Sequence, residues 1–408
     1  MDMQNLAQRI RCLSVYRGVL RQRFFALFLE LGGPHSRPAE EIYSEMFFEL
    51  VREERENSFA RMVSDAVCYD DNPFSRLCAA GKTDKISRPL RQAAKADIDA
   101  LRELAFLSPD SLAAFFHPPA NGLPAFLPRF ETGEIPAVLE GGADTAAAFY
   151  RAHGCGMFAK HRAFSFQNGK IEPIFHPDPI RLSALKGYEQ QKEQIIRNTR
   201  AFLAGFAANN LLLYGDMGTG KSSTVHAVLN EFAPQGLRMI EISKEDIHDF
   251  PILIDRVANI PQKFIVFIDD LSFAQQDDSF AALKAILEGG LAARPGNLLI
   301  YATSNRRHLV RERFSDREGD EIHFADTMQE LLSLSDRFGI SITFLKPGRE
   351  EFCRIVTQLA EDRKLDTDRR ILIEGAERWA LERGGRSPRI ARQYIDYLSA
   401  KLSRRQAD

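Results

Sequence analysis

Residues 215–222 read Gly-Asp-Met-Gly-Thr-Gly-Lys-Ser, which places glycines, a lysine and a hydroxyl side chain at the spacing G-x-x-x-x-G-K-S. Glycine adopts positive φ readily, so such a segment can turn successive backbone N–H groups inward around an anion. Lys221 would then reach the β and γ phosphates of a nucleotide, and the Ser222 hydroxyl would ligate Mg²⁺. The segment therefore predicts a nucleoside triphosphate site. The residues predicted to contact the nucleotide at this loop are Gly215, Asp216, Met217, Gly218, Thr219, Gly220, Lys221, Ser222 and Ser223.

A second group of chemically capable side chains follows an apolar run at 264–268, where the chain continues with Asp269 and Asp270. Such a run predicts a buried central strand, and parallel strands present ligand-binding residues at their carboxyl ends. Asp269 would hold Mg²⁺ together with Ser222, while Asp270 would orient or deprotonate an attacking water. On their own, two aspartates after a strand could equally begin a turn. Their position downstream of a phosphate-binding loop favours the catalytic interpretation.

The flanks of the loop have the secondary structure that phosphate binding requires. Residues 211–214 are a short apolar run that is typical of a buried strand. After the loop, apolar residues recur at helical spacing, at positions 225, 228, 229 and 232. The order of strand, loop and helix makes an idle glycine-rich turn the weaker interpretation.

Strand patterns recur along the second half of the chain, and helical patterns separate them. This alternation implies a parallel sheet with helices on both faces. We therefore expect an α/β fold in which a parallel five-stranded sheet is flanked by helices and followed by a purely helical lid. The strand patterns lie at 211–214, 238–242, 264–268, 298–303 and 340–344.

The part of the chain before residue 178 has a different pattern. Roughly the first 115 residues carry helical stripes. Asn168-Gly169 predicts a hairpin with a type I′ turn, and Pro173 confines its second strand to a sheet edge. Pro-Asp-Pro at 177–179 indicates a domain boundary. The predicted domains are a mainly helical N-terminal domain at 1–177 with a hairpin near 164–175, a nucleotide-binding α/β domain at 178–347, and a C-terminal helical lid at 348–408.

The composition limits the possible partners. The chain has 408 residues, of which 44% are hydrophobic and 27% charged, and its net charge of −2 gives no overall attraction to nucleic acid or anionic membranes. The five cysteines are odd in number and lack C-x-x-C spacing, which favours reduced thiols in a cytoplasm. We find no signal peptide and no apolar run near the ~18–20 residues that a membrane span needs. We expect a cytoplasmic protein without membrane association.

With these motifs the chain resembles the AAA-plus ATPase superfamily over the part that follows the predicted boundary. Gly187-Tyr188 lies where that family touches adenine, and Ser304-Asn305 ends a strand pattern as its first sensor does. Ser-Asp-Arg-Phe-Gly at 335–339 resembles its arginine-finger segment, and Gly-Arg-Ser-Pro-Arg at 385–389 resembles its second sensor. More narrowly, the phrases at 267–273, 301–309 and 333–339 look like an uncharacterised bacterial group of predicted AAA-plus ATPases, which is classed as a domain of unknown function.

The resemblance implies ATP and Mg²⁺ as ligands and assigns roles to four further residues. Tyr188 would lie beside adenine, Asn305 would bond to the γ-phosphate and the attacking water, and Arg389 would contact the nucleotide from the lid. Arg337 would act on a neighbouring subunit's nucleotide, which implies a homo-oligomer. From the residues alone, Arg337 could instead be a solvated charge or form a local salt bridge. Arg389 could belong to a basic helix that touches a phosphate backbone.

The function implied is an ATPase that remodels or assembles an unknown protein or nucleic-acid target, which the N-terminal domain would recognise. One departure matters, because most of the superfamily has glutamate where this chain has the shorter Asp270. Hydrolysis could therefore be slow. The bacterial replication initiator and helicase loader resemble the chain in their paired aspartates, so the alternative is an ATP-dependent switch or loader for DNA-associated machinery. A scaffold with an inactive site is disfavoured, because the motif residues are all present.

Overall fold

The computed structural model describes residues 3–34, 37–52, 58–116, 122–131, 133–134, 136–271, 278–288, 295–305 and 336–407. The chain forms two compact units. The first, here called the helical unit, comprises Met1–Lys160 and Asn259–Gln262. The second, here called the sheet unit, comprises His161–Ala258 and Lys263–Asp408.

The helical unit packs the apolar faces of its helices into one core, as the helical stripes in this part of the sequence predicted. Its longest helix, α6 (Arg88–Ala105), begins at Ser87, whose hydroxyl accepts the N–H of Leu90. The same helix buries Ile98, Leu101 and Leu104. The other α-helices described are α1 (Met3–Arg11), α2 (Arg23–Leu31), α3 (Ala39–Val51), α4 (Phe59–Cys68), α5 (Pro73–Ala79), α7 (Pro109–Leu112), α8 (Ala137–Glu140), α9 (Ala143–His153) and α10 (Gly156–Lys160).

Asp97 on α6 connects this helix to the turn that follows α1. Its side chain is buried, and its carboxylate accepts the backbone N–H groups of Ser14, Val15 and Tyr16 at 2.9, 2.7 and 3.0 Å. The Tyr16 hydroxyl in turn lies 3.0 Å from the hydroxyl of Tyr150 on α9. Because a charged acceptor satisfies three successive backbone donors, this buried carboxylate fixes the path of the chain between the helices.

The sheet unit contains the strands β1 (Ala163–Gln167), β2 (Lys170–Pro173), β3 (Leu211–Gly215), β4 (Leu237–Ile242), β5 (Lys263–Ile268), β6 (Leu298–Ser304) and β7 (Ile340–Phe344). Among the described residues they form one seven-stranded sheet in the order β2-β1-β4-β5-β6-β3-β7. The five predicted strands, β3 to β7, are all present and pair in parallel with one another. All seven residues of β6 are buried, as expected for a central strand covered on both faces.

The hairpin forms at the predicted residues, but it belongs to the sheet unit and not to the N-terminal domain in which we predicted it. Asn168 and Gly169 have φ values of 50° and 70°, as a type I′ turn requires, and Pro173 lies in the edge strand β2. However, β1 pairs in parallel with β4, with Phe164 opposite Ile240, so the hairpin extends the nucleotide domain's sheet by two strands. The compact units accordingly divide at 160/161, whereas the sequence predicted 177/178. Strand pairing, which local turn signals do not report, causes the difference.

Helices complete the sheet unit. The described helices of the unit are α11 (Glu189–Leu203), α12 (Lys221–Phe232), α13 (Phe250–Val257), α14 (Asp278–Glu288), α15 (Arg349–Asp362), α16 (Arg369–Glu382) and α17 (Pro388–Ala407). The last three make up the predicted lid and share a separate small core that includes Phe352, Leu372 and Ile395. Within the described residues, no helix combines the length and apolar character that a membrane crossing would need.

Replacement of Asp97 by alanine should lower the free energy of unfolding by about 3 kcal/mol, because it leaves three backbone N–H groups without their acceptor. Urea unfolding followed by circular dichroism measures the change. The matched control is Asp99→Ala, which removes a half-exposed carboxylate from the same helix. Equal effects of the two substitutions would contradict the role assigned to Asp97.

Candidate nucleotide-binding site

The glycine-rich loop connects β3 to α12, as the motif requires. Gly215, Gly218 and Gly220 have φ values of 134°, 77° and 94°, which side chains of L-residues rarely adopt. At Gly215 a Cβ atom would lie 2.1 Å from the carbonyl oxygen of Phe344 on β7, so glycine is also required for space. These glycines let the loop curl back towards the N-terminus of α12.

Lys221, the first residue of α12, has its ammonium group inside this curl. The residue is 5% exposed, and its Nζ donates to the carbonyl oxygens of Gly215 at 3.1 Å and Asp216 at 2.8 Å and to Asn305 Oδ1 at 2.8 Å. All three acceptors are neutral. Burial lowers the pKa of the Lys221 ammonium, and the nearby carboxylates, first among them that of Asp270, oppose this shift.

Ser222, Asp269 and Thr303 form a connected group of oxygen atoms. The Ser222 hydroxyl donates to Asp269 Oδ1 at 2.6 Å, and the Thr303 hydroxyl also donates to this carboxylate oxygen. The backbone N–H of Asp270 donates to Thr303 Oγ1 at 2.9 Å, so the threonine connects both aspartates. Mg²⁺ prefers oxygen ligands and usually takes one or two from protein. Ser222 and Asp269 supply donors of that type and fit the metal that the sequence predicted there.

Asn305 connects Lys221 with Asp270. Its Nδ2 donates to Asp270 Oδ1 at 2.6 Å while its Oδ1 accepts from Lys221, and these two partners leave only one consistent orientation of the amide. Asp270 has φ of 49°, a left-handed conformation in which aspartate is enriched among non-glycine residues. This backbone turn directly follows Asp269, the first residue after the end of β5.

The register of the sheet explains why these side chains meet. β6 lies between β5 and β3, with Ala302 opposite Ile268 and Thr303 opposite Leu213. The three strands therefore end side by side at one edge of the sheet. Our sequence analysis missed Thr303, although its position just before Ser304-Asn305 in a strand beside the aspartates was a usable signal.

Tyr188 lies in a pocket at the side of the loop. The residue has a left-handed φ of 57°, and its hydroxyl donates to the carbonyl oxygen of Leu345 at 2.6 Å. Its ring centroid is 5.1 Å from that of Phe344, and burial raises the pKa of the hydroxyl. Ile355 and Pro388 from the lid line the same pocket, together with Thr219 and Gly220 of the loop. Pro388 belongs to the predicted second-sensor segment at 385–389, whereas the sequence assigned Ile355 no role at the nucleotide, because only the packing of the lid brings it there.

Arg389 reaches the loop through its backbone. Its N–H donates to the carbonyl oxygen of Gly218 at 3.2 Å, and Ser387 packs against the same glycine. The arginine side chain is exposed. The lid segment that carries the predicted second sensor therefore touches the phosphate-binding loop directly.

Arg337 has a partner in its own chain. Its guanidinium forms an ion pair with Glu288 at the end of α14, where the side chains of Arg337 and Glu288 are 27% and 45% exposed. This is the local salt bridge that the sequence left open as an alternative. Residue 335, the first of the predicted finger segment, lies outside the described residues.

The remaining predicted contacts are distributed along the loop and the start of α12. The Thr219 hydroxyl donates to the carbonyl oxygen of Asp216 at 2.8 Å and so braces the loop internally. Met217 is 66% exposed at the tip of the loop, and Ser223 is half-buried in the first turn of α12. The structure thus brings together the residues predicted for phosphate, metal and water. Arg337 is not part of this cluster and forms its ion pair with Glu288.

A family model described as "Protein of unknown function (DUF815)" matches residues 159–402. The match begins two residues before the sheet unit and ends within α17. The family is therefore defined over the unit that contains the candidate site, and most of the helical unit lies outside the match.

Two known proteins are similar to parts of the chain. Human Replication factor C subunit 4 is 31% identical over 101 residues, which cover 24% of this chain and only 28% of that protein's length. The Thermotoga maritima RuvB Holliday junction branch migration motor aligns at 16% identity over 56% of this chain and 67% of that chain, with a TM-score of 0.39, from which we infer nothing. The strand order β4-β5-β6-β3-β7, with the glycine-rich loop after β3 and helices that form a lid after β7, is the α/β architecture that the sequence predicted.

Replacement of Thr303 by valine should raise the Mg²⁺ concentration needed for half-maximal nucleotide binding by about tenfold, because the Asp269 carboxylate loses a donor that orients it. Nucleotide binding without Mg²⁺ should change little. Titration of a fluorescent ATP analogue at varied Mg²⁺ measures both quantities. Thr357→Val is the control, since its hydroxyl donates within α15 to the carbonyl oxygen of Cys353. An unaltered Mg²⁺ dependence in Thr303→Val would rule out this role.

Proposed function

Because this chain belongs to the family described as "Protein of unknown function (DUF815)", whose name gives no activity, we propose a function from the site itself. The protein binds ATP with Mg²⁺, hydrolyses it and uses the cycle, as a homo-oligomer, to remodel or assemble a macromolecular target. The observation that supports this proposal is the chain of hydrogen bonds from Lys221 through Asn305 to Asp270, beside the Ser222–Asp269 pair. Groups suited to phosphate, metal and water meet in one cluster.

Phosphate binding follows from the charge and shape of the loop. Lys221 carries a buried charge whose three acceptors are neutral, so an anion would stabilise the ammonium better than those oxygens do. The N-terminus of α12 adds the partial positive charge of its unpaired backbone N–H groups. The pocket lined by Tyr188 and the lid would hold the base, since its walls combine an aromatic ring with apolar side chains.

The metal and the water have separate ligands in this proposal. Ser222 and Asp269 would hold Mg²⁺, which supplies charge neutralisation for the transferred phosphoryl group. Asn305 binds one oxygen of the Asp270 carboxylate, and a carboxylate has a second oxygen that can accept a proton. Water attacks the γ-phosphorus, its proton passes to Asp270, and the bond to the bridging oxygen breaks so that ADP leaves with the electron pair.

Assembly enters the proposal through Arg337. A guanidinium stabilises the charge of a transferring phosphoryl group, and it can be supplied by a second polypeptide. In the single chain this arginine forms an ion pair with Glu288. We propose that in the oligomer it exchanges this partner for the nucleotide of the adjacent subunit. The helical unit would then recognise the target.

A second candidate function is an ATP-dependent switch or loader with little hydrolysis. One observation favours it: the shorter Asp270 side chain is held by Asn305 at 2.6 Å, so its reach towards a water is limited. The name of the human relative refers to replication, and this likeness joins the resemblance of the paired aspartates to those of the bacterial replication initiator and helicase loader as support for a DNA-associated target. ATP binding without turnover, together with salt-sensitive binding of single-stranded DNA, would support this candidate.

Substitutions at two residues of the cluster should separate binding from hydrolysis. Lys221→Ala should abolish measurable ATP binding, because it removes the cation from the loop. Asp270→Asn should bind ATP within about threefold of the wild type and lose turnover by about 100-fold or more. Calorimetric titration and phosphate release measure the two properties. Equal loss of binding in both variants would contradict the role of Asp270, and an absence of ATP binding by the wild type would refute the proposed function.

Arg337→Ala should lower the rate of ATP hydrolysis by about 10³-fold or more without loss of ATP binding. The wild-type rate per subunit should rise with protein concentration and then saturate. Mixing Arg337→Ala with Lys221→Ala should restore part of the activity, because each variant supplies what the other lacks. Glu288→Gln is the matched control and should retain turnover. Failure of the mixture to exceed the sum of its components would contradict action between subunits.

A further inference from the structure

Lys346 connects the phosphate-binding loop with the lid. It lies between β7 and α15, where the chain passes from the sheet to the lid. Its backbone N–H donates to Asp216 Oδ2 at 2.7 Å, and its Nζ donates to the carbonyl oxygen of Gly384 at 2.7 Å. One residue of the loop, one of the connection and one of the lid are therefore hydrogen-bonded in series. We call Asp216, Lys346 and Gly384 the lid latch.

At the lid end of the latch, two glycines with positive φ give the backbone the turn that this contact needs. Gly384 and Gly385 follow the end of α16 with φ values of 87° and 102°, and the N–H of Gly385 bonds to the carbonyl oxygen of Ala380 at 2.8 Å. This turn closes the helix and leaves the Gly384 carbonyl facing Lys346. A Cβ on Gly385 would lie 3.5 Å from Lys346 Nζ, so the ammonium lies against both glycines.

A second hydrogen bond connects the loop directly with the lid. Four residues after Gly385, the N–H of Arg389 donates to the carbonyl oxygen of Gly218. Asp216 and Gly218 are two residues apart in the phosphate-binding loop, and each is connected to the same lid segment, one through Lys346 and the other directly. A change in the shape of the loop therefore acts on the position of Arg389 through both contacts.

We propose that Lys346 is a positioning residue that couples the conformation of the phosphate-binding loop to the orientation of the lid, and so presents Arg389 to the γ-phosphate. This inference rests on the proposed nucleotide function. When the latch is closed, the lid occupies the orientation that is competent to bind triphosphate. When it is broken, only a fraction of molecules has that orientation, and the apparent Kd for ATP rises by the inverse of that fraction.

The direct test is the substitution Lys346→Met, which keeps most of the side-chain volume, removes the ammonium that donates to Gly384 and leaves the backbone N–H that donates to Asp216. A net hydrogen bond of this kind corresponds to about a threefold to tenfold change in affinity. The Kd for ATP should rise by that factor, and the Kd for ADP should rise less, because ADP lacks the γ-phosphate that Arg389 would contact. Lys401→Met, at an exposed lysine of α17, should leave both constants unchanged. A purely structural effect would raise both constants equally, and that outcome would overturn the proposal.

A double-mutant cycle tests whether the bonds act in series. Asp216→Ala removes the acceptor at one end of the latch, so it should raise the Kd for ATP by at least as much as Lys346→Met does. The double variant should then bind ATP with the same Kd as Asp216→Ala alone, because the loss of one bond already breaks the connection. Losses that multiply would show independent contacts and would overturn the serial coupling.

Hydrogen exchange tests the latch without nucleotide, so its outcome is separate from that of the proposed function. In the full-length protein, Lys346→Met should accelerate exchange in peptides that contain the Arg389 amide, which bonds to Gly218. Peptides from the helical unit should exchange as in the wild type, and so should all peptides of Lys401→Met. Unchanged exchange at Arg389 would refute the coupling, even for a protein that binds ATP. Failure to bind ATP with accelerated exchange would refute the nucleotide function and leave the coupling intact.

Discussion

The buried positive charge of Lys221 is the constraint on which the site depends. Two features disfavour a cation at this position. The Lys221 side chain is only 5% exposed, and the N-terminus of α12 carries a partial charge of the same sign. The loop carbonyls and the amide of Asn305 compensate only as neutral acceptors, and burial still lowers the pKa of the ammonium. A buried charge without a charged hydrogen-bond partner is expected where a bound ligand supplies the opposite charge. The positive φ angles of the loop glycines are needed to bring the carbonyls to this lysine.

The parallel sheet turns residues far apart in the sequence into one cluster. β3, β6 and β5 are neighbours, so the loop, Thr303 and the two aspartates all follow strand ends at the same edge. Thr303 donates to Asp269 with its hydroxyl and accepts the N–H of Asp270, which connects the proposed metal ligand with the proposed water-binding aspartate. Thr303 is buried, whereas both aspartates are exposed just after the end of β5. The network demands the observed register, since a slip by one residue would turn Thr303 to the other face.

The phosphate-binding loop, both aspartates and Asn305 could be predicted from the sequence, because each is marked by a local pattern at the end of an apolar run. The contacts of Thr303 and Lys346 do not follow from such local patterns alone, since they depend on which strands are neighbours and where the lid packs. The hairpin shows the same limit. Its turn at Asn168-Gly169 was predicted from two residues, but its partner β4 lies beyond the phosphate-binding loop in the chain, and no local signal reports that pairing.

The ion pair of Arg337 with Glu288 does not conflict with a role for this arginine in a second subunit. Both side chains are partly exposed, and pairs of that kind contribute about 0–1 kcal/mol because solvent screens them. Stabilisation of a transferring phosphoryl group by an arginine supplied from another chain is far larger, about 10³-fold or more in rate. The proposed exchange of Glu288 for a phosphate in the transition state would therefore gain more free energy than the loss of this pair costs. Without a neighbouring subunit, Arg337 stays paired with Glu288 of its own chain. The nucleotide site of a single chain would then lack the arginine that, in our proposal, a neighbour supplies.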